Sequence, residues 1–324
     1  MKVLFAWPNK ESFYHKPIAL PLLSAIARHL GWQTRLFDTT DIDFGLTDYT
    51  KSGQEARIFK PVDTERYGLV KNRINLREKF LKVLDDYKPD LLALSVLSGE
   101  FLIAVEISKI FREVSPDIPI IWGGKSPTIN PEYILEMGYA DFVCIGEGLE
   151  AFPDFLKSIS HNGDPYGIPN IWGRRGAGLI RNSLRPLKKS LDDLPYLDWE
   201  IFDKRFFCKP FDGKMYVGGD HMLNWGCPYH CTYCINDRYH RLYDNNYFMR
   251  SYGIDRIIAE LKYLKDKYHL ELIKFHDEDF LLRPLGEIKE LSAAYHKEVD
   301  LPFAIETNPK SVTREKVALL KEMN

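Results

Sequence analysis

Cys227, Cys231 and Cys234 are three of the five cysteines in 324 residues, and they stand at the spacing C-x3-C-x2-C inside Gly226-Cys227-Pro228-Tyr229-His230-Cys231-Thr232-Tyr233-Cys234. So short a loop brings three soft ligands to one place, and the chain on either side has to hold it there. Iron–sulfur clusters are held by cysteine thiolates, and this spacing suits three corners of a [4Fe-4S] cube, with the fourth iron left without a protein ligand. A structural zinc site is the alternative. It needs four ligands, so His221, His230 or His240 would have to supply the last. A disulfide framework is disfavoured, because three clustered cysteines cannot all pair and the opening Met1 to Trp7 reads as a strand rather than a signal peptide. Cys144, at the end of an apolar strand pattern, and Cys208, in a linker, are read as ordinary residues, and His230 as filler of the loop.

The loop resembles that of the radical S-adenosylmethionine (SAM) superfamily, matching its three cysteines one for one. The resemblance implies that Cys227, Cys231 and Cys234 hold the cluster while the open iron chelates the amino and carboxylate groups of SAM. The reduced cluster of that family cleaves SAM to methionine and a 5′-deoxyadenosyl radical. Tyr233 occupies the position of the aromatic that packs near the adenine.

Length suggests two domains, each large enough for its own core. A net charge of −2 with 28% charged residues gives no basic footprint for nucleic acid. No apolar run approaches the roughly 20 residues that span a bilayer. A cytoplasmic location, where thiols stay reduced, is therefore expected.

Apolar runs at residues 2–7, 33–38, 91–96, 118–122 and 140–145 alternate with helical patterns, including one over 17–31 closed by Gly31 and one over about 70–87. Residues 39–70 read as a long connecting loop. Strands alternating with helices predict a doubly wound, flavodoxin-like parallel sheet whose ligands sit at the carboxyl ends of the strands. The loops there include Leu97-Ser98-Gly99-Glu100, Gly123-Gly124-Lys125-Ser126-Pro127-Thr128 and Gly146-Glu147-Gly148. Together they resemble the cobalamin-binding domain found ahead of many radical SAM domains. That resemblance covers about residues 1–160 and implies that Ser98, Gly123, Gly124, Thr128, Gly146, Glu147 and Gly148 lie against the cobalamin. The Asp-x-His-x-x-Gly motif that supplies a lower cobalt ligand in other cobalamin domains is absent. His15 lies in the corresponding loop without the spacing, so cobalt without a histidine ligand is expected.

Residues 161–213 read as a linker with a small hairpin at 170–182, and Trp199 as an anchor between domains. From 214 to 324 the pattern resembles the first half of a radical SAM partial (β/α)6 barrel, about three strand–helix units long. Asp277 and Glu278, after its second strand, are then candidates for the SAM amino group. Glu306 and Asn308, at the third, are candidates for SAM or substrate. The count of units makes this chain look like the front part of a longer enzyme, with the edge of the third strand and the face of Val317, Leu320 and Met323 left uncovered.

The function implied by the resemblance is a cobalamin-dependent radical SAM enzyme that methylates an unactivated carbon of an unknown substrate, served by an electron donor such as flavodoxin or ferredoxin. A rearrangement or ring formation with the same cofactors, or a sensor without turnover, are the alternatives.

Overall fold

In β1 (Lys2–Trp7) successive side chains point to opposite faces, and both faces are apolar. Val3, Phe5 and Trp7 join one buried cluster, while Leu4 and Ala6 join another. A strand buried on both sides in this way belongs in the middle of a parallel sheet covered by helices. The computed structural model describes residues 1–14, 16–45, 52–53, 55–58, 60–244 and 249–324. His15 lies outside the described residues, as does part of the 39–70 loop.

The first sheet has seven strands in the order β2-β1-β3-β4-β5-β6-β7. Its members are β1, β2 (Gln33–Asp38), β3 (Leu91–Ser95), β4 (Ile120–Gly123), β5 (Phe142–Cys144), β6 (Ile171–Arg175) and β7 (Gly178–Ile180). The first five run parallel, in the 2-1-3-4-5 order of doubly wound sheets. On one face pack α1 (Ala19–His29) and α6 (Ala151–Ser160), and on the other α2 (Leu76–Tyr87), α3 (Phe101–Val114) and the short pair α4 (Lys125–Ile129) and α5 (Pro131–Glu136). The helix expected from about residue 70 starts at Leu76, because the Asn75 side chain accepts the Glu78 N–H at 3.2 Å and caps it there. The hairpin expected at 170–182 is present as β6 and β7. It belongs to the first sheet, since β6 pairs antiparallel with β5.

The second sheet has the order β13-β12-β9-β8, built from β8 (Cys208–Phe211), β9 (Lys214–His221), β12 (Leu272–Phe275) and β13 (Phe303–Ala304). β9, β12 and β13 are parallel, and β8 is an antiparallel flap on β9. Between them run a two-stranded ribbon, β10 (Asn224–Trp225) with β11 (Arg250–Ser251), and the helices α7 (Ile235–Leu242) and α8 (Ile254–Tyr268). Helix α9 (Leu285–Glu298) joins β12 to β13, and α10 (Arg314–Met323) follows. One core cluster runs from Phe5 and Phe152 of the first unit through Trp199 to Phe275 and Tyr295 of the second. The fold class is therefore α/β, with a parallel-sheet unit followed by barrel-like strand–helix units.

The uncovered face expected on the last helix is corrected in part. Met323 is 1% exposed and Leu320 packs on the core, whereas Val317 remains exposed. Ser292 of α9 donates to the Leu319 carbonyl at 2.7 Å, which shows the neighbour that covers this side. No helix among the described residues is long and apolar enough to cross a membrane.

Candidate active site between the two sheets

The carboxyl ends of both parallel sheets open on one cavity of about 680 Å³, within the usual range for small-molecule sites. Trp7, Ser95, Gly123, Gly124, Cys144, Gly146, Glu147 and Gly148 line it from the first unit. Met222, Trp225, Tyr239, His276, Asp277, Glu278 and Glu306 line it from the second. Ser98 and Thr128 do not. Ser98 is exposed on the turn before α3, and Thr128 is fully buried. The Thr128 hydroxyl donates to the Gly124 carbonyl at 2.8 Å and accepts the Gly146 N–H at 3.1 Å, so it ties the two glycine loops together.

The glycines themselves have a structural reason. Gly124 has φ +102°, and an added Cβ would lie 3.0 Å from the Val96 carbonyl, so the backbone just past the neighbouring strand already crowds this position. Gly146 has φ +72°, and an added Cβ would run into the Tyr243 hydroxyl. Glu147 is held by the second unit: its carboxylate takes Arg250 Nη1 at 2.8 Å and Nη2 at 2.5 Å, and its N–H donates to Tyr243 Oη at 3.2 Å.

The cysteine loop stands beside this cavity, between β10, whose Trp225 lines it, and α7, whose Tyr239 lines it. Cys227, Cys231 and Cys234 are free thiols, and the Cys234 N–H closes a turn on the Cys231 carbonyl at 2.9 Å. His240 binds the Cys227 carbonyl at 2.8 Å, and His230 stacks on His240 with centroids 4.0 Å apart. His230 thus braces the loop rather than merely filling it. Burial pushes the Cys227 thiol up, the Tyr229 N–H opposes this, and Glu278, Cys234 and Asp279 add to it. Among the described residues no three His, Cys, Asp or Glu side chains converge as a ready-made metal cage. The donor set nonetheless fits an iron–sulfur cluster: three thiols outside any disulfide stand within eight residues, two of them partly exposed. Tyr233 is 92% exposed, so its ring is free to meet a ligand.

Of the acidic residues expected at the strand ends, Glu278 and Glu306 are exposed at the cavity wall, and Glu306 pairs with Lys274 at 3.2 Å. Asp277 is fully buried and spends its oxygens on the N–H groups of Leu223, at 3.1 Å, and Asn224, at 2.6 Å. It therefore positions β10, which leads into the cysteine loop. Burial pushes its carboxyl up to about 6 against those two N–H groups. Asn308 does not line the cavity, because its side chain caps the turn at Lys310 N–H, 3.0 Å away.

A buried polar group at the same strand ends gave no motif in the sequence. Asp220 of β9 accepts Lys209 Nζ at 3.0 Å, lies 3.4 Å from Lys16 Nζ, and meets His276 Nε2 at 2.6 Å. Burial pushes Asp220 up, but Lys209, then Lys16 and His276, outweigh it and hold the carboxyl well below its usual value. Burial brings Lys16 down to about 7, with Asp220 opposing. Lys209 and Asp220 look like ordinary surface positions in the sequence until β8 pairs with β9 and Lys16 of the first unit packs against them.

Known proteins agree with this layout. Residues 10–156 match the B12 binding domain and residues 225–324 the Radical SAM superfamily. The cobalamin-dependent radical SAM methyltransferase TokK of Streptomyces tokunonensis is 28% identical over 151 residues, 45% of this chain and 22% of that protein. The anaerobic magnesium-protoporphyrin IX monomethyl ester cyclase of Cereibacter sphaeroides is 21% identical over 207 residues, 62% of this chain and 32% of that one. Among solved structures, the radical SAM methyltransferase TsrM from Kitasatospora setae superposes with a TM-score of 0.70 at 16% identity, covering 99% of this chain and 57% of that one. This chain therefore spans well under two thirds of these relatives. The two matched segments stand in the order that the fold displays: a stretch similar to the B12 binding domain lies ahead of one similar to the Radical SAM superfamily.

Proposed function

We propose that this chain forms the cofactor-binding part of a cobalamin-dependent radical SAM enzyme, with methyl transfer to an unactivated carbon as its reaction. The observation that carries the reading is the shared cavity: glycine loops of a B12-type sheet and the strand ends beside a C-x3-C-x2-C loop face each other across it. Cys227, Cys231 and Cys234 would hold a [4Fe-4S] cluster, and Tyr233, Glu278 and Glu306 would lie nearest SAM. Gly123, Gly124, Gly146 and Gly148 would lie nearest the cobalamin. When bound, these groups supply reductive cleavage of SAM and a methyl donor. The chain's own contributions are positional. Asp277 fixes β10 and thereby the approach to the cysteine loop, Thr128 fixes the two glycine loops against each other, and the apolar walls exclude water. Glu278, exposed at the rim, offers a carboxylate that suits the cationic SAM.

Ring formation is the second reading, favoured by the likeness to the protoporphyrin ester cyclases over 207 residues. Both readings need an electron donor such as flavodoxin or ferredoxin. The test is anaerobic reconstitution of the native protein from its own reading frame, followed by incubation with SAM and dithionite. 5′-Deoxyadenosine should form and should vanish in Cys231→Ala. Its absence from protein that holds a full cluster would overturn the enzyme reading, and methylcobalamin consumption then separates methyl transfer from ring formation.

A further inference from the structure

The second unit places one more group on the cavity wall, at the end of β12. His276 is tethered on two sides: its N–H donates to the His221 carbonyl at 2.8 Å, and its Nε2 lies 2.6 Å from Asp220 Oδ1. Asp220 is fully buried and faces two lysines, Lys209 from β8 and Lys16 from the segment before α1. The Asp220 carboxylate, kept ionised chiefly by Lys209, only accepts hydrogen bonds, so the proton of this contact sits on His276 Nε2. In the neutral ring the other nitrogen, Nδ1, then carries a lone pair, and among the described residues it has no hydrogen-bond partner.

We propose that His276 is the proton acceptor of this cavity, with Asp220 fixing its tautomer so that Nδ1 meets a hydroxyl or amine of the bound molecule. The class of ligand follows. Phe5, Leu20, Leu94 and Phe152 offer an apolar wall, so the molecule has a hydrocarbon or aromatic body and places one O–H or N–H at His276. In full proton transfer the O–H or N–H bond breaks, its electron pair stays on the heteroatom, and the proton goes to Nδ1, giving an imidazolium that Asp220 neutralises. The other charges around the ring are Lys274 and Glu306, paired with each other, and Asp277 and Glu278 on the same turn. A strand end fixed by backbone bonds is a rigid support for such a contact. This inference rests on the proposed function only in treating the cavity as the reaction site.

The test uses the whole chain, first without added ligand and then with SAM or aquocobalamin. Nitrogen-15 imidazole spectra should show His276 as the Nε2–H tautomer, and Asp220→Asn should abolish that preference in folded protein. Where the variant does not fold, the wild-type tautomer decides alone. Diethyl pyrocarbonate should modify His276, mapped by mass spectrometry, and less so as the ring is protonated. Shielding by SAM alone assigns the donor to its ribose or amine, shielding by aquocobalamin alone to its amides, and persistent reactivity with both to a separate substrate; each supports the acceptor role. An Nδ1–H tautomer, or an unreactive His276 beside a reactive, exposed His296, would overturn it. Neither readout needs SAM cleavage, so this inference and the proposed activity fail separately.

Discussion

Arg250 and Glu147, 103 residues apart in sequence, form a two-pronged ion pair across the seam between the sheets, with Nη–Oε distances of 2.8 and 2.5 Å. The Arg250 side chain is 1% exposed, and its Nη1 also donates to the Lys188 carbonyl at 3.2 Å. The glycine loop of the first unit and the β10–β11 ribbon that frames the cysteine loop are thus held by one contact. Two charges taken out of water repay their desolvation only together, and removal of one partner leaves the other stranded at a cost of roughly 3–5 kcal/mol. Arg250→Ala should therefore lower the urea midpoint by a corresponding amount, and Arg250→Met combined with Glu147→Leu should recover most of it. A loss below about 1 kcal/mol in the single variant would show that the contact is not formed in solution.

Gly124 should be intolerant of any side chain even without ligand. Its positive φ disfavours L-residues by about 1–2 kcal/mol, and a Cβ would crowd the Val96 backbone at 3.0 Å. Gly124→Val should lower the melting temperature of the cobalamin-free chain as well as weaken cobalamin binding. Weaker binding with unchanged melting would return the glycine to a role in ligand approach alone.

Glu100, at the turn before α3, is 4% exposed and its Oε2 has no partner. Burial pushes its carboxyl from 4.5 up to about 7, opposed by the Leu97 backbone contact and reinforced by Glu11, with Lys10 opposing. The folded chain then holds a proton that the unfolded chain has released, so stability falls as pH rises through the window from about 4.5 to about 7. Glu100→Gln removes this slope. Relative to wild type the variant should gain up to about 3 kcal/mol above pH 7 and nothing below pH 4.5, read from urea unfolding at pH 4 and pH 8. Equal stabilisation at both values would contradict the protonated, buried carboxyl.

What the sequence made legible was whatever is local or periodic. The thiol spacing of Cys227, Cys231 and Cys234, the apolar runs of β1 and β3, and the glycines after β4 and β5 could all be read along the chain. Contacts between distant segments could not. Nothing near Glu147 announces Arg250, and Lys16 finds the Asp220 carboxylate, which Lys209 reaches from the adjacent strand β8, only once β9 lies beside the first unit. Asp277 and Asn308 follow the strands β12 and β13, and their oxygens are engaged by backbone N–H groups, a use that residue type alone does not reveal. Thr128 fits the glycine-loop pattern for the same reason that it is buried: it bridges the two loops and does not reach the cavity.

The central claim is that the three thiols share one cluster. Protein reconstituted without oxygen should hold about four irons and four sulfides per chain. Replacing Cys227, Cys231 and Cys234 together with Ala should remove both the iron and the brown absorption, and SAM should perturb the electron paramagnetic resonance spectrum of the reduced wild-type cluster. One zinc per chain, or full iron in the triple variant, would contradict the account.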